Sequence, residues 1–185
     1  MPLSAEELLS IVRNYFRLDK EFNYRPENSP EEDRFSEKWE QEIKKMEQWR
    51  VFLRELKGAL PDFDIGNATA TCTSCFRCAA YPNAQPTGSA VVGCVSILAP
   101  VYTVYGVQYT YRGGERSHEV FLDSLPPGMQ VPAAIIARRI EAAFGVEALP
   151  HGIAQTPIPL IVEPQEPPTT TLFHALFLSQ PERVP

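Results

Sequence analysis

The sequence predicts an α+β fold: an N-terminal helical pair packed on a mostly antiparallel β-sheet, with one further helix between strands. Two observations carry this. All five lysines lie at or before Lys57, while fifteen of the eighteen prolines follow it. At the same place the hydrophobic pattern changes from helical spacing to alternation. A helical part over 1–58 and a strand-rich part over 66–179 therefore make up a single domain spanning 1–185, with a helix expected at about 131–144.

The helices announce themselves by their ends. Ser4 followed by Glu7 forms a capping box, and Leu8, Ile11, Val12, Tyr15 and Phe16 then fall on one face. Residues 18–28 are polar and contain Pro26, which reads as a connection. Ser29-Pro30-Glu31-Glu32 starts a second helix that should run to Lys57, with Gly58 closing it in the left-handed conformation. Its apolar stripe is Phe35, Trp39, Ile43, Met46, Trp49, Leu53, Leu56 and Leu60, and Glu40–Lys44 supports the exposed side. A third helix should begin near Val131-Pro132, turn Ala133, Ile136, Ile140 and Phe144 inward, and end at Gly145. Arg138 and Arg139 then fall on its exposed side.

The strands follow from alternation. Asn67–Ala80 alternates small apolar residues with polar ones, and a second strand is expected over Ala90–Ala99 after the loop Tyr81–Ser89. Val101–Tyr111 is a third strand. Arg112-Gly113-Gly114-Glu115 turns it back into Ser117–Leu122, which sets His118 opposite Tyr109, Val120 opposite Val107 and Leu122 opposite Tyr105. Thr156–Glu163 reads as an edge strand because of Pro157 and Pro159, and Thr169–Leu178 as a last strand buried on both sides, with a short helix as the alternative.

Cys72-x-x-Cys75-x-x-Cys78, with Cys94 further on, is the one cluster that resembles chemistry. Paired knuckles or Cys-plus-His spacing, the usual mark of structural zinc, are missing. In a strand, Cys72 and Cys78 share one face while Cys75 points the other way, so three thiolates cannot close on one ion. The hairpin should bring Cys94 near Phe76 and Cys78. Buried, unligated thiols without a cofactor are the expectation, and a metal-containing protein, with zinc as the metal, or a thiol enzyme built on Cys72, Cys75, Cys78 and Cys94 is the alternative. Within that alternative Cys75, on the polar face beside Arg77, is the candidate nucleophile. Asp62 and Asp64 read as a solvated turn, and His118, His151 and His174 lie far apart in the sequence.

Composition narrows the function class. An apolar content of 44%, a charged content of 22% and a net charge of −6 are those of a globular protein. They argue against binding nucleic acid by phosphate neutralisation and against a basic membrane-surface helix. No phosphate loop, nucleophile elbow or His-Glu-x-x-His pair is present. The opening residues lack a signal-peptide pattern, which leads to the expectation of a cytoplasmic protein. Catalysis is not expected; the expected role is binding of a protein partner. One concrete form is a small bacterial immunity-type or inhibitor protein, steered by its acidity to a basic toxin. Trp39 and Trp49 are the candidate contact residues, and residues 35–60 offer a face for self-association.

Overall fold

The computed structural model describes residues 2–18, 29–85 and 88–185. The first half contributes helices α1 (Ala5–Val12), α2 (Pro30–Glu42) and α3 (Met46–Ala59). Strands β1 (Phe63–Asn67), β2 (Cys75–Pro82), β3 (Ser89–Ser96), β4 (Val101–Arg112) and β5 (Glu115–Phe121) follow. Then come α4 (Pro127–Phe144), β6 (Glu147–Ala148), α5 (His151–Ala154) and α6 (Leu172–Leu176). The strands pair antiparallel in the order β1-β2-β3-β4-β5, and β6 adds a short parallel pairing at the start of β4. This is the α+β class that the sequence predicts.

Both capping boxes form, at Ser4 with Glu7 and at Ser29 with Glu32, and Gly145 closes α4 at φ 62°. The hairpin register also holds, with Tyr109 opposite His118 and Val107 opposite Val120. Pairing stops at Gly106 and Phe121, one step short of Leu122.

Several elements depart from expectation. The long second helix is interrupted by a 3-10 turn at Ile43–Lys45, so α2 and α3 are separate. The helix runs past Gly58 and stops at Leu60 with φ −125°, without a left-handed glycine. On its surface Glu42 pairs with Lys38 at 3.1 Å and Lys45 at 2.9 Å, where Glu40–Lys44 was expected. Tyr15 and Phe16 lie beyond the end of α1, and the connection expected at 18–28 falls, from residue 19 on, outside the described residues. Helix α4 starts four residues early and accommodates Pro132 in its second turn. The strand over Ala90–Ala99 ends at Ser96, and Ile97–Pro100 form the turn into β4. Thr156–Glu163 makes only isolated bridges, and Thr169–Leu178 contains α6 where a strand was expected. A continuous apolar run gives the same pattern in either case.

The sheet is covered on both sides. One face carries Phe76 and Cys78 of β2, Val95 and Gly93 of β3, and Tyr102 and Gly106 of β4. Trp39 and Trp49 pack on Phe76 at centroid distances of 5.5 and 5.6 Å, and Phe144 of α4 meets Trp49 at 5.6 Å. Helix α4 sits close because Gly93 lacks a side chain: a Cβ there would stand 2.8 Å from Ile136 Cγ2. Gly106 makes the same allowance for Met129. Tyr102 ties the layers together by donating to Glu141 at 2.5 Å.

The opposite face carries Cys75 and Arg77 of β2, Val92 and Cys94 of β3, and Tyr105 and Val107 of β4. It is roofed by α6 and the residues after it, with Phe173 edge-on to Tyr105 at 6.0 Å. Helix α1 in turn rests on α6. Residues 75–80 are consequently buried on both sides. No helix among the described residues is long and apolar enough to cross a membrane.

Candidate functional site

The cysteine run divides by element. Cys72 is exposed in the turn between β1 and β2, whereas Cys75, Cys78 and Cys94 are buried in the sheet. The expected strand over Asn67–Ala80 is thus two strands with a seven-residue turn, 68–74, between them. In register, Cys94 lies opposite Arg77 and Gly93 opposite Cys78. Cys94 therefore lies between Phe76 and Cys78 along the strand pair, as expected, but its side chain points to the other face, which it shares with Cys75. Burial pushes the Cys78 thiol up to about 12. Burial, followed by contact with the Cys75 thiol, pushes Cys94 well up. Such thiols stay protonated and unreactive. Cys75, the candidate nucleophile, is fully buried because its face, read as solvent-facing, lies under the α6 layer.

Among the described residues no three His, Cys, Asp or Glu side chains gather closely enough to hold a metal ion. For the zinc alternative the geometry places Cys72 outside the sheet and Cys78 on the face away from Cys75 and Cys94. Asp62 and Asp64 are both exposed.

Trp39 and Trp49, the candidate contact residues, are 5% and 1% exposed and offer no outer surface. Their indoles pin the two ends of the Cys72 turn. Trp49 Nε1 donates to Asn67 Oδ1 at 3.1 Å, and Trp39 Nε1 donates to the Thr73 carbonyl at 2.8 Å. With Phe52, Leu56 and Leu60 also buried, most of the stripe over 35–60 is spent on the chain's own core, leaving Ile43 and Val51 exposed.

Cys72 opens onto a groove of about 450 Å³ that His174 also lines. A thiol–imidazole pair would need a free imidazole lone pair to take the thiol proton. That lone pair is engaged: Nδ1 of His174 accepts the Thr171 backbone N–H at 3.0 Å, which leaves the ring proton on Nε2. Burial lowers the His174 pKa, keeping the ring neutral. His174 thus serves as the cap of α6. His118 and His151, exposed on β5 and α5, join no such group.

The described surface has a different feature. Strand β3 pairs with β4 only as far as Gln108, so the β4–β5 hairpin projects beyond the sheet. Residues 110–119 are all exposed, Tyr111 by 59%. The tip turns through Gly113 and Gly114 at φ 59° and 82°, conformations that suit glycine. Behind it the Arg116 guanidinium lies 3.8 Å over the Tyr109 ring. The turn is legible in the sequence, whereas its projection beyond the sheet is not. The available signal was Tyr109-Thr-Tyr-Arg-Gly-Gly-Glu-Arg-Ser-His118, a strand pair with no aliphatic side chain on either face.

No family model, curated protein or solved structure matches the chain.

Proposed function

We propose that the protein is a non-catalytic binder of a protein partner and that the β4–β5 hairpin is its contact element. The carrying observation is the hairpin itself: a two-stranded projection that exposes Tyr111, Arg112, Arg116, Ser117 and His118, with Thr110, Glu115 and Glu119 among them, around a glycine tip. Tyrosine and arginine are the side chains most enriched where binding energy concentrates. Both give large contact area with few rotatable bonds or a planar fork, as in antibody loops. A narrow projection fits a concave partner surface such as an active-site cleft.

In its most specific form the partner is a basic toxin and the protein a bacterial immunity-type inhibitor. The net charge of −6 supports that form by steering a basic protein toward it. The test compares the full chain with a Tyr111→Ala, Arg112→Ala double variant in binding to a basic secreted nuclease from the same source organism. Tight binding by the parent chain, weakened at least about a hundredfold in the variant, supports the reading. Equal binding by both removes the hairpin from it, and absence of binding by either removes the toxin.

A further inference from the structure

Residues 181–185 cross the sheet face that carries Cys75 and Cys94, away from α2, α3 and α4, and the sheet holds them by their main chain. Tyr105 donates its hydroxyl to the Pro181 carbonyl at 2.9 Å, and Tyr109 donates to the Glu182 carbonyl at 3.1 Å. Arg77 Nη1 donates to the Arg183 carbonyl at 2.8 Å, and the Tyr81 hydroxyl donates to Pro185. Two side chains from β4 and two from β2 thus hold, through its backbone oxygens, a segment that turns at Pro181-Glu182, where the Arg183 N–H donates to the Gln180 carbonyl at 3.1 Å. An aromatic groove with hydroxyl donors suits a proline-containing segment, whose backbone oxygens are not committed to a helix or a ladder.

Arg77 adds a second, independent observation. It is only 7% exposed, yet among the described residues no carboxylate stands within ion-pairing distance of it. Its Nε donates to the Ala68 carbonyl at 3.0 Å, and its other acceptors are also neutral. Buried cations are ordinarily paired with an anion. A carboxylate on the guanidinium makes roughly twice as strong a hydrogen bond as a carbonyl does.

We propose that this face is a binding site for an acidic, proline-containing peptide segment of a partner, and that residues 181–185 occupy it in cis. A ligand carboxylate takes the position now held by the Arg183 carbonyl. That gain on Arg77 is what allows a free segment to displace a tethered one, whose local concentration is on the order of millimolar. The strap is suited to leaving, since Arg183 and Pro185 are exposed and the other three residues are only half-buried. This surface is distinct from the outward tip of the hairpin, and the proposal stands without it.

The test titrates the isotopically labelled full chain with two synthetic peptides and follows backbone amide signals. One peptide has the sequence of residues 179–185; the other is the same peptide carrying Arg183→Asp. The expected result is that the acidic peptide binds about tenfold tighter and moves the signals of Arg183 and Val184 to their free positions. Arg77→Gln should abolish that preference. Arg77→Lys, which keeps the positive charge in this place, should retain a preference for the acidic peptide and covers the case in which the glutamine variant does not fold. Equal affinity for the two peptides, no displacement of residues 183–184 at millimolar ligand, or a preference that survives in Arg77→Gln would overturn the proposal.

Discussion

Trp49 of α3 donates its indole N–H to the side-chain oxygen of Asn67, the last residue of β1, at 3.1 Å. The same oxygen accepts the Thr69 backbone N–H at 3.2 Å, so one amide fixes both the helix and the start of the Cys72 turn. Asn67→Ala leaves the buried indole N–H without an acceptor and should cost about 1–3 kcal/mol. Urea unfolding measures the loss. A double-mutant cycle with Trp49→Phe should return a coupling energy near that of one hydrogen bond, and zero coupling would refute the link.

Thiol chemistry should separate Cys72 from its neighbours. In the native protein one thiol per chain should react promptly with an aromatic disulfide reagent, and four should react after denaturation. Cys72→Ser should abolish the fast phase alone. A native fast phase that persists in this variant would contradict the burial of Cys75, Cys78 and Cys94.

Gly93→Ala should destabilise the fold by about 1–3 kcal/mol through overpacking. The added methyl would meet Ile136 Cγ2 at 2.8 Å and Cys78 Sγ at 3.1 Å, both on branched or short side chains with little room to yield. Gly106→Ala should cost less, because its obstacle is the flexible thioether of Met129. Thermal unfolding of the two variants side by side gives the order.

Stability should fall with acid through His174. Its folded pKa is lowered, first by burial, with Glu182 opposing, so in the relevant window the unfolded chain binds the proton more readily. The contribution is complete above the unfolded imidazole value of about 6.5 and is lost as pH falls through the lowered folded value. Protonation of Nδ1 also removes the acceptor for the Thr171 N–H. His174→Gln, which can still cap through its side-chain oxygen, should flatten this part of the stability–pH curve measured by urea unfolding.

Thr170 is fully buried, and its hydroxyl has no hydrogen-bond partner among the described residues. Thr170→Val removes that desolvated hydroxyl at nearly constant shape and should raise stability by about 1 kcal/mol. A fall in denaturation midpoint would show that the hydroxyl is satisfied in solution.

What the sequence discloses here is local. The Ser4 and Ser29 caps, the Gly113-Gly114 turn and the Gly145 stop depend on residues within a few positions of one another, and all appear where the sequence puts them. The face of β2 bearing Cys75 and Arg77 was misread because its cover comes from residues about a hundred positions away. A polar arginine in an alternating run signals solvent unless the covering segment is already known. Leu172–Leu176 was misread for a related reason, since an apolar run buried all round carries no period from which to choose helix or strand. The hairpin surface was visible as residues but not as a projection, because that depends on where β3 begins beside β4.

Attachment through backbone oxygens loosens the demand on the side chains of Pro181, Glu182, Arg183 and Pro185, since every amino acid supplies the same acceptor, whereas Val184 packs its side chain on the core. Two descendants of this chain that keep an apolar residue at 184 could differ at the other four positions and still close the same face. Their kinship would persist in Arg77, Tyr81, Tyr105 and Tyr109 long after it had faded from the segment those side chains hold.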